Sequence, residues 1–519
     1  MGATELSEIV ARVSAGAKLI VVSNREPVSH ERGAEGIRAV RPASGMVAAI
    51  EPIVHAVGGT WIAHGSGSAD RFVTDARDRI GLPEEAPRYS LRRLWLSEAE
   101  ERGYYHGLSN TALWPLCHIV YTRPYFSRSD WETYRSVNNR FRDAVLEEAE
   151  DGPAIVFVQD YHLALLPRLL KEARPDLKLI QFWHIPWPNR EAFRIFPWGQ
   201  ELLDGLLGND LLGFHIQNHC NNFLETVDRG IESRVDYEHF CAFRGGRPTY
   251  VRAFPISVDF AQIGRDAESP EAGRRREKFM NVIGRDAPGE ATLFVGADRI
   301  DYTKGIPERF RAFDRMLTLH PDLKGKVSLV QLAAPSRTGV AAYRDLNREL
   351  DVLVEKINRR HGGGGSLSGG FLRGLGRLLG GGRARTGGWM PIRFLRAHHD
   401  YYSVLAACRM AHVALVTPLH DGMNLVAKEF VSARTDGDGI LILSEYAGAA
   451  RELVDALLVN PFDIDRLTDV MYAACVMPEA ERRQRMERMR AQVEKNDVYR
   501  WGAGIFEEAE RIRALENAP

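Results

Sequence analysis

Val413-Ala414-Leu415-Val416-Thr417-Pro418-Leu419-His420-Asp421-Gly422-Met423-Asn424-Leu425-Val426-Ala427-Lys428-Glu429 reads as a buried strand, a tight turn and the opening of a helix. Its apolar run is continuous rather than alternating, the pattern of a parallel strand covered on both faces. Glycine in the turn lets the backbone approach a ligand closely, and the free N–H groups at the helix start favour an anion. The amides of Gly422, Met423, Asn424, Leu425 and Val426 therefore suit a diphosphate. Asp421 leads the turn. Glu429 follows eight residues later, about two helical turns on, where a carboxylate accepts hydrogen bonds from sugar or ribose hydroxyls.

The same grammar recurs outward from this stretch. Leu19–Val22, Ile155–Val158, Leu179–Phe182, Leu293–Gly296, Val327–Val330 and Ile440–Leu443 are further short apolar runs, and helical patterns follow at 162–174, 305–319 and 339–360. Strand then helix, repeated, predicts doubly wound α/β domains. With 519 residues the chain is too long for one ordinary core, so two domains of roughly 200–250 residues are expected. The division reads as 1–257, a charged linker at 258–290 broken by Pro270 and Pro288, and a second domain at 291–480. The charged helical pattern ending the chain, 481–519, either stays with the second domain or crosses back to the first. One stretch is foreign to the pattern: Gly362–Gly388 holds thirteen glycines with Arg373, Arg377, Arg383 and Arg385 and no acid. A surface insertion is the expectation there, because ordering glycine at that density costs much backbone entropy.

Bulk composition narrows the function classes. Hydrophobic residues are 45% and charged residues 26%, a folded chain's balance, and a net charge of -1 gives no global attraction to nucleic acid or membrane. Cys117, Cys220, Cys241, Cys408 and Cys475 are scattered and odd in number, which argues against zinc ribbons and a disulfide framework. No basic stretch leads into an apolar core at the start, and no apolar run approaches membrane-span length. A soluble cytoplasmic protein is expected, with a homo-oligomer left open.

A second cluster of charge ends another strand: Asp298-Arg299-Ile300-Asp301-Tyr302-Thr303-Lys304-Gly305. Arg299 and Lys304 can converge on one phosphate pair, the arginine by its fork and the lysine as a point charge. Asp298 or Asp301 as a metal ligand is the less attractive reading, since two cations already neutralise a diphosphate. The first half contributes Arg25, Asp160 and His184 at strand ends, where open α/β sheets bind ligands. Tyr105 and Trp114, in YYHGLSNTALWP, are aromatic residues of the type that face sugar rings.

Taken in order, VVSNR, YYHGLSNTALWP, QDYHLALLP, HIPWP, GLLGNDLLGFH, AFPIS, DRIDYTKGIP, LAAPSR, DGMNLVAKE, ILSEYAGAA and VNPFD resemble the motifs of the trehalose-6-phosphate synthases over roughly residues 18–512. The resemblance implies a retaining glycosyltransferase of GT-B architecture, two Rossmann-like domains facing each other across a cleft, with no cofactor and no metal. It implies a nucleotide-sugar donor, UDP-glucose, and a phosphorylated sugar acceptor, glucose 6-phosphate. Arg299 and Lys304 then grip the donor diphosphate, Asp421 takes the donor sugar's hydroxyls with the Gly422–Val426 amides, Glu429 takes the ribose, and Gly45 lies against the donor phosphates. Arg25, Tyr105, Trp114 and Arg337 hold the acceptor, and Asp160 and His184 flank the reacting centre, Asp160 also touching the acceptor. In such enzymes the acceptor hydroxyl attacks from the face the nucleotide leaves, and the diphosphate takes the proton.

Four positions depart from the family pattern. Ser44-Gly45 replaces paired glycines, His64 replaces a tryptophan, His420 replaces an arginine, and Gln159 replaces a histidine. The nearest alternative keeps the chemistry with another acceptor, such as glycerol 3-phosphate, or another nucleotide-sugar. A catalytically silent regulatory homologue is the alternative of another class; Arg299, Lys304, Asp421 and Glu429 all being present speaks against it. No segment after 519 supplies a phosphatase domain, so dephosphorylation is expected to need a separate enzyme.

Overall fold

All seven apolar runs form parallel strands, distributed over two sheets. The computed structural model describes residues 2–14, 16–34, 36–41, 45–283, 291–337, 339–362 and 389–516; Ser44 and nearly all of the Gly-rich stretch, 363–388, lie outside them. From edge to edge the first sheet runs Arg234–Asp236, Cys241–Arg244, Arg247–Ala253, Leu211–Phe214, Lys178–Phe182, Ala154–Gln159, Lys18–Arg25, Thr60–His64, Tyr89–Leu94 and Arg79–Leu82. The strands from Arg247–Ala253 to Tyr89–Leu94 are parallel. Antiparallel strands close both edges. The second sheet, Ile392–Arg396, Val327–Ala334, Thr292–Arg299, Val413–Val416, Ile440–Ser444 and Leu457–Val459, is parallel throughout.

Strand order places the chemistry. The chain enters the first sheet at Lys18–Arg25, builds outward through Thr60–His64 to Tyr89–Leu94, then crosses to Ala154–Gln159 on the other flank. In the second sheet the direction reverses about Thr292–Arg299, which lies between Val327–Ala334 and Val413–Val416. Helices diverge at such reversals and leave a crevice beyond the carboxyl ends of the strands. Arg25 and Asp160 border the first crevice, Arg299 and the 417–421 turn the second.

Three apolar clusters hold these layers. One lies under Arg128–Ala149 on one face of the first sheet; a second fills the face of the second sheet beneath Ile306–Leu319 and Ala341–His361. The third joins the two sheets, running from Ala3–Ser14 and Gly45–Val57 through to Leu425–Ala433. The 258–290 segment is helical at Phe260–Ala267 and Pro270–Ile283, both packed on Tyr401–Met410. The final helical pattern divides into Glu479–Lys495 and Val498–Glu516. The first donates from Arg490 to the carbonyl of Val431 at 2.9 Å. The second lies on the first sheet, with the Trp501 ring 5.2 Å from that of Phe182 and Arg252 paired to Glu508 at 2.6 Å.

Candidate active site

Tyr105 and Trp114, expected to hold the acceptor, come from an unusual helix. Glu101–Leu113 winds as a π-helix and continues into the α-helix Trp114–His118. The wider turn shows in side-chain bonds five residues back, Asn110 Nδ2 to the Tyr105 carbonyl at 2.8 Å and Thr111 Oγ1 to that of His106 at 2.7 Å. Such windings concentrate at functional sites, where they turn side chains out of α-register. Here Tyr105 lies on the His162 ring at 5.7 Å, and the Trp114 ring receives the Arg337 guanidinium at 4.1 Å and that of Arg299 at 5.6 Å. Arg299 ends a strand of the second sheet and Arg337 lies in the loop after Val327–Ala334, so the two domains meet over Trp114. Burial alone would push the Tyr105 phenol up; the charges of Arg337, Arg25 and Arg299 outweigh it and hold its pKa below the ordinary value. Three cations around one phenol make an anion pocket.

Asp160 caps Ala154–Gln159 at φ 68, a left-handed conformation that non-glycine residues reach only under constraint. Its Oδ1 accepts from the His184 N–H at 3.2 Å. Burial pushes its pKa up to about 7, despite hydrogen bonds from Tyr161 and His184 and the nearby arginines. His184 is driven down to about 3 by burial, so its imidazole is neutral at physiological pH; Nε2 lies 2.9 Å from Gln159 Oε1. Gln159, standing where the family has histidine, is thus the group that orients His184.

At the carboxyl ends of the second sheet, Lys304 closes the turn Tyr302–Lys304, and Gly305 at φ 63 lets that turn sit against the Thr417 carbonyl, where a Cβ has no room. Lys304 Nζ reaches Asp421 Oδ2 at 2.5 Å, and Asn424 Nδ2 donates to the same oxygen at 3.1 Å. Burial would raise Asp421; Lys304 overcomes it and holds the carboxyl below its usual range. The sequence reading gave these two residues separate partners, whereas here they face each other. The turn is braced from behind, Asp421 N to the Tyr446 carbonyl at 3.1 Å and Ala449 N to the Met423 carbonyl at 2.9 Å. Gly422 backs onto the first domain: an added Cβ would lie 2.5 Å from the His184 carbonyl. Leu425 and Val426 open the helix Leu425–Ala433, with Leu425 packed on Gly45.

Glu429, on that helix, makes no hydrogen bond or ion pair among the described residues, and burial alone pushes its pKa up to about 7. A half-buried carboxyl without a partner is a candidate binding position. Lys428 beside it is structural: its ammonium bonds Glu452 at 2.6 Å and the Ile256 carbonyl at 2.8 Å.

The two acids of the 298–305 stretch are likewise occupied. Asp298 pairs with Arg309 at 2.7 Å, and Asp301 with Thr303, Arg337 and Tyr343. Among the described residues no group of three or more His, Cys, Asp or Glu is placed to hold a metal, and no helix is long and apolar enough to cross a membrane. Of the departures, His64 Nδ1 lies 3.2 Å from the Leu94 carbonyl; His420 donates from Nδ1 to the His118 carbonyl at 2.7 Å, a bond between the two domains. Sequence reasoning passed over His118, His162 and Tyr343. Tyr343 sits inside an ordinary amphipathic pattern, and nothing local distinguishes it.

With this geometry in place, known proteins supply a frame. The sequence profile of glycosyltransferase family 20 matches residues 17–367 and 382–511, leaving 368–381 within the Gly-rich stretch unmatched. The trehalose-6-phosphate synthase of Mycolicibacterium vanbaalenii is 37% identical over 511 residues, 95% of this chain and 96% of that protein. A bifunctional trehalose-6-phosphate synthase/phosphatase of Thermoproteus tenax is 35% identical over 501 residues, and the match spans 63% of its length. Among solved structures, the E. coli protein bound with UDP-2-fluoro glucose superposes with a TM-score of 0.79 at 29% identity, covering 95% of this chain and 99% of that one. The Burkholderia xenovorans alpha,alpha-trehalose-phosphate synthase in complex with glucose-6-phosphate gives 0.80 at 30% identity, covering 95% and 100%. The fold is GT-B, and the chain is a glycosyltransferase belonging to family 20.

Proposed function

We propose that this enzyme transfers glucose from UDP-glucose to glucose 6-phosphate, forming trehalose 6-phosphate with retention at the donor carbon. The carrying observation is the anion pocket about Tyr105 and Trp114, where Arg25 at a strand end of the first sheet meets Arg299 at a strand end of the second and Arg337 from the loop after Val327–Ala334. A phosphorylated acceptor supplies the charge this pocket lacks. The relatives named for trehalose-6-phosphate synthesis support the choice of acceptor and donor.

In this reading the donor diphosphate draws Lys304 away from Asp421, which turns to the sugar hydroxyls, while Arg299 grips the second phosphate. Glu429 accepts from the ribose. The acceptor's anomeric hydroxyl bonds to the donor's anomeric carbon as the bond from that carbon to the phosphate oxygen breaks, and the hydroxyl proton passes to the departing diphosphate. Asp160 and His184 position the two sugars; the neutral imidazole accepts or donates without adding charge beside a developing cation. Catalysis rests on orientation and on cations aimed at the leaving group.

The test is UDP release from UDP-glucose with glucose 6-phosphate or glycerol 3-phosphate as acceptor. Release with the first, and a product whose phosphatase digest is trehalose, is expected. Turnover with glycerol 3-phosphate alone would overturn the acceptor assignment, and none with either would favour a silent homologue.

A further inference from the structure

Arg337 is the most enclosed cation of the anion pocket, its side chain 5% exposed. A buried guanidinium is tolerated only when its charge is matched and its donors are used. Two groups of its own domain do this. Nη1 lies 3.2 Å from Asp301 Oδ2 and 2.5 Å from Tyr343 Oη, and Tyr343 Oη lies 3.0 Å from the same carboxylate oxygen. Arginine only donates, so the phenol oxygen accepts from Arg337 and gives its own proton to Asp301. The second carboxylate oxygen takes the Thr303 N–H at 3.1 Å and the Thr303 hydroxyl at 3.0 Å. Every polar atom of this triangle therefore has a defined direction.

The electrostatics agree with it. Burial would raise Asp301, yet Arg337, Arg299 and Lys304 bring it down to about 2, so it is an anion at any working pH. Burial, Asp301 and Tyr302 push the Tyr343 phenol upward, so it keeps its proton. Arg337 Nε, by contrast, has no partner among the described residues, and the backbone carries φ 45 at this position. A strained arginine held at one end, with a donor still unmet, is arranged for a ligand.

We propose that Tyr343 and Asp301 are positioning residues for the acceptor's phosphate: they hold Arg337 over the Trp114 ring so that its charge is aimed at the pocket. The inference rests on glucose 6-phosphate being the acceptor. Asp301 sets the charge balance, and Tyr343 sets the angle, because its hydroxyl bridges the guanidinium and the carboxylate. Neither touches the substrate.

Tyr343→Phe deletes a single oxygen and leaves the ring packed on Tyr302. Losing one charge-assisted bond raises the KM for glucose 6-phosphate about tenfold. The KM for UDP-glucose moves by less than about twofold, the split that separates an acceptor-side effect from general loosening. Inorganic phosphate, as a competitor of glucose 6-phosphate, loses affinity in step with the acceptor KM. An unchanged acceptor KM, equal rises in both KM values, or an unchanged phosphate Ki would each overturn the proposal. Asp301→Asn is the second variant, and its acceptor KM is expected to rise further than that of Tyr343→Phe; a smaller rise would also overturn it. If wild-type enzyme releases no UDP with glucose 6-phosphate, the acceptor reading itself fails and this inference falls with it. If wild type works and the variant is indistinguishable from it, only the inference fails.

Discussion

Glu429→Gln isolates a half-buried carboxyl that makes no hydrogen bond or ion pair among the described residues. In the unliganded protein burial raises its pKa from 4.5 to about 7. Ribose hydroxyls donate to a carboxylate and stabilise its charged form, so nucleotide binding lowers that pKa and expels a proton. Affinity for UDP therefore strengthens as pH rises through 7 and is lost as pH falls. With a pKa of about 7, the ionised fraction drops from roughly nine-tenths at pH 8 to one-tenth at pH 6, and affinity falls about ninefold over that range. The glutamine variant has no such transition; at pH 8 it binds about 10–100-fold more weakly, having lost a hydrogen bond to a charged acceptor. Calorimetric titration of UDP from pH 6 to 8.5 at fixed ionic strength measures both. The nucleotide's terminal phosphate also titrates near pH 6, and the variant is the control for it. Stability carries the opposite sign. A carboxyl raised on folding makes the unliganded protein lose stability as pH rises from 4.5 to about 7 and leaves the full cost in place above that, so at pH 8 Glu429→Gln should melt above wild type. Parallel pH profiles for the two proteins would refute the assignment.

Lys304→Ala removes the cation facing Asp421 and, in the proposed reaction, the leaving diphosphate; kcat/KM should fall about 10²–10³-fold, and an unchanged value defeats the site. Gly422→Ala places a methyl 2.5 Å from the His184 carbonyl, so the domains cannot approach as drawn: kcat should drop severely while the variant's melting temperature stays near wild type. Lys428→Met strands the Glu452 carboxylate and frees the Ile256 carbonyl. A loss of roughly 3 kcal/mol in stability is expected for a broken buried pair, read as a lowered melting temperature, with Glu429-dependent nucleotide binding retained at low temperature.

Much of this was legible before any coordinates. The seven apolar runs are legible as strands because continuous hydrophobicity leaves few other uses, and the turn at 421–424 is legible as a candidate anion site because its glycine and its helix start have a shared chemical meaning. The same logic singles out Arg299 and Lys304 as candidates. The π-helix at Glu101–Leu113 is not legible in this way, since i to i+5 winding leaves no periodic mark in thirteen residues. The antiparallel edge strands escape such a reading because, at three or four residues each, they are too short to show a period.

Local composition thus determined the element types, the fold class and the residues with charge to offer. It did not determine what those charges do when no ligand separates them. Lys304 meets Asp421 across 117 residues, His420 meets His118 across 302, and Asp301 ends up balancing Arg337 instead of facing a ligand. Such pairings depend on which loops two sheets bring to one crevice, and on burial, which moves Glu429 to about 7 and carries Asp160 to about 7 against opposing hydrogen bonds and arginine charges. Strand and helix periodicity are written in neighbours along the chain, whereas ion pairing and desolvation arise between residues that only the packed structure makes neighbours.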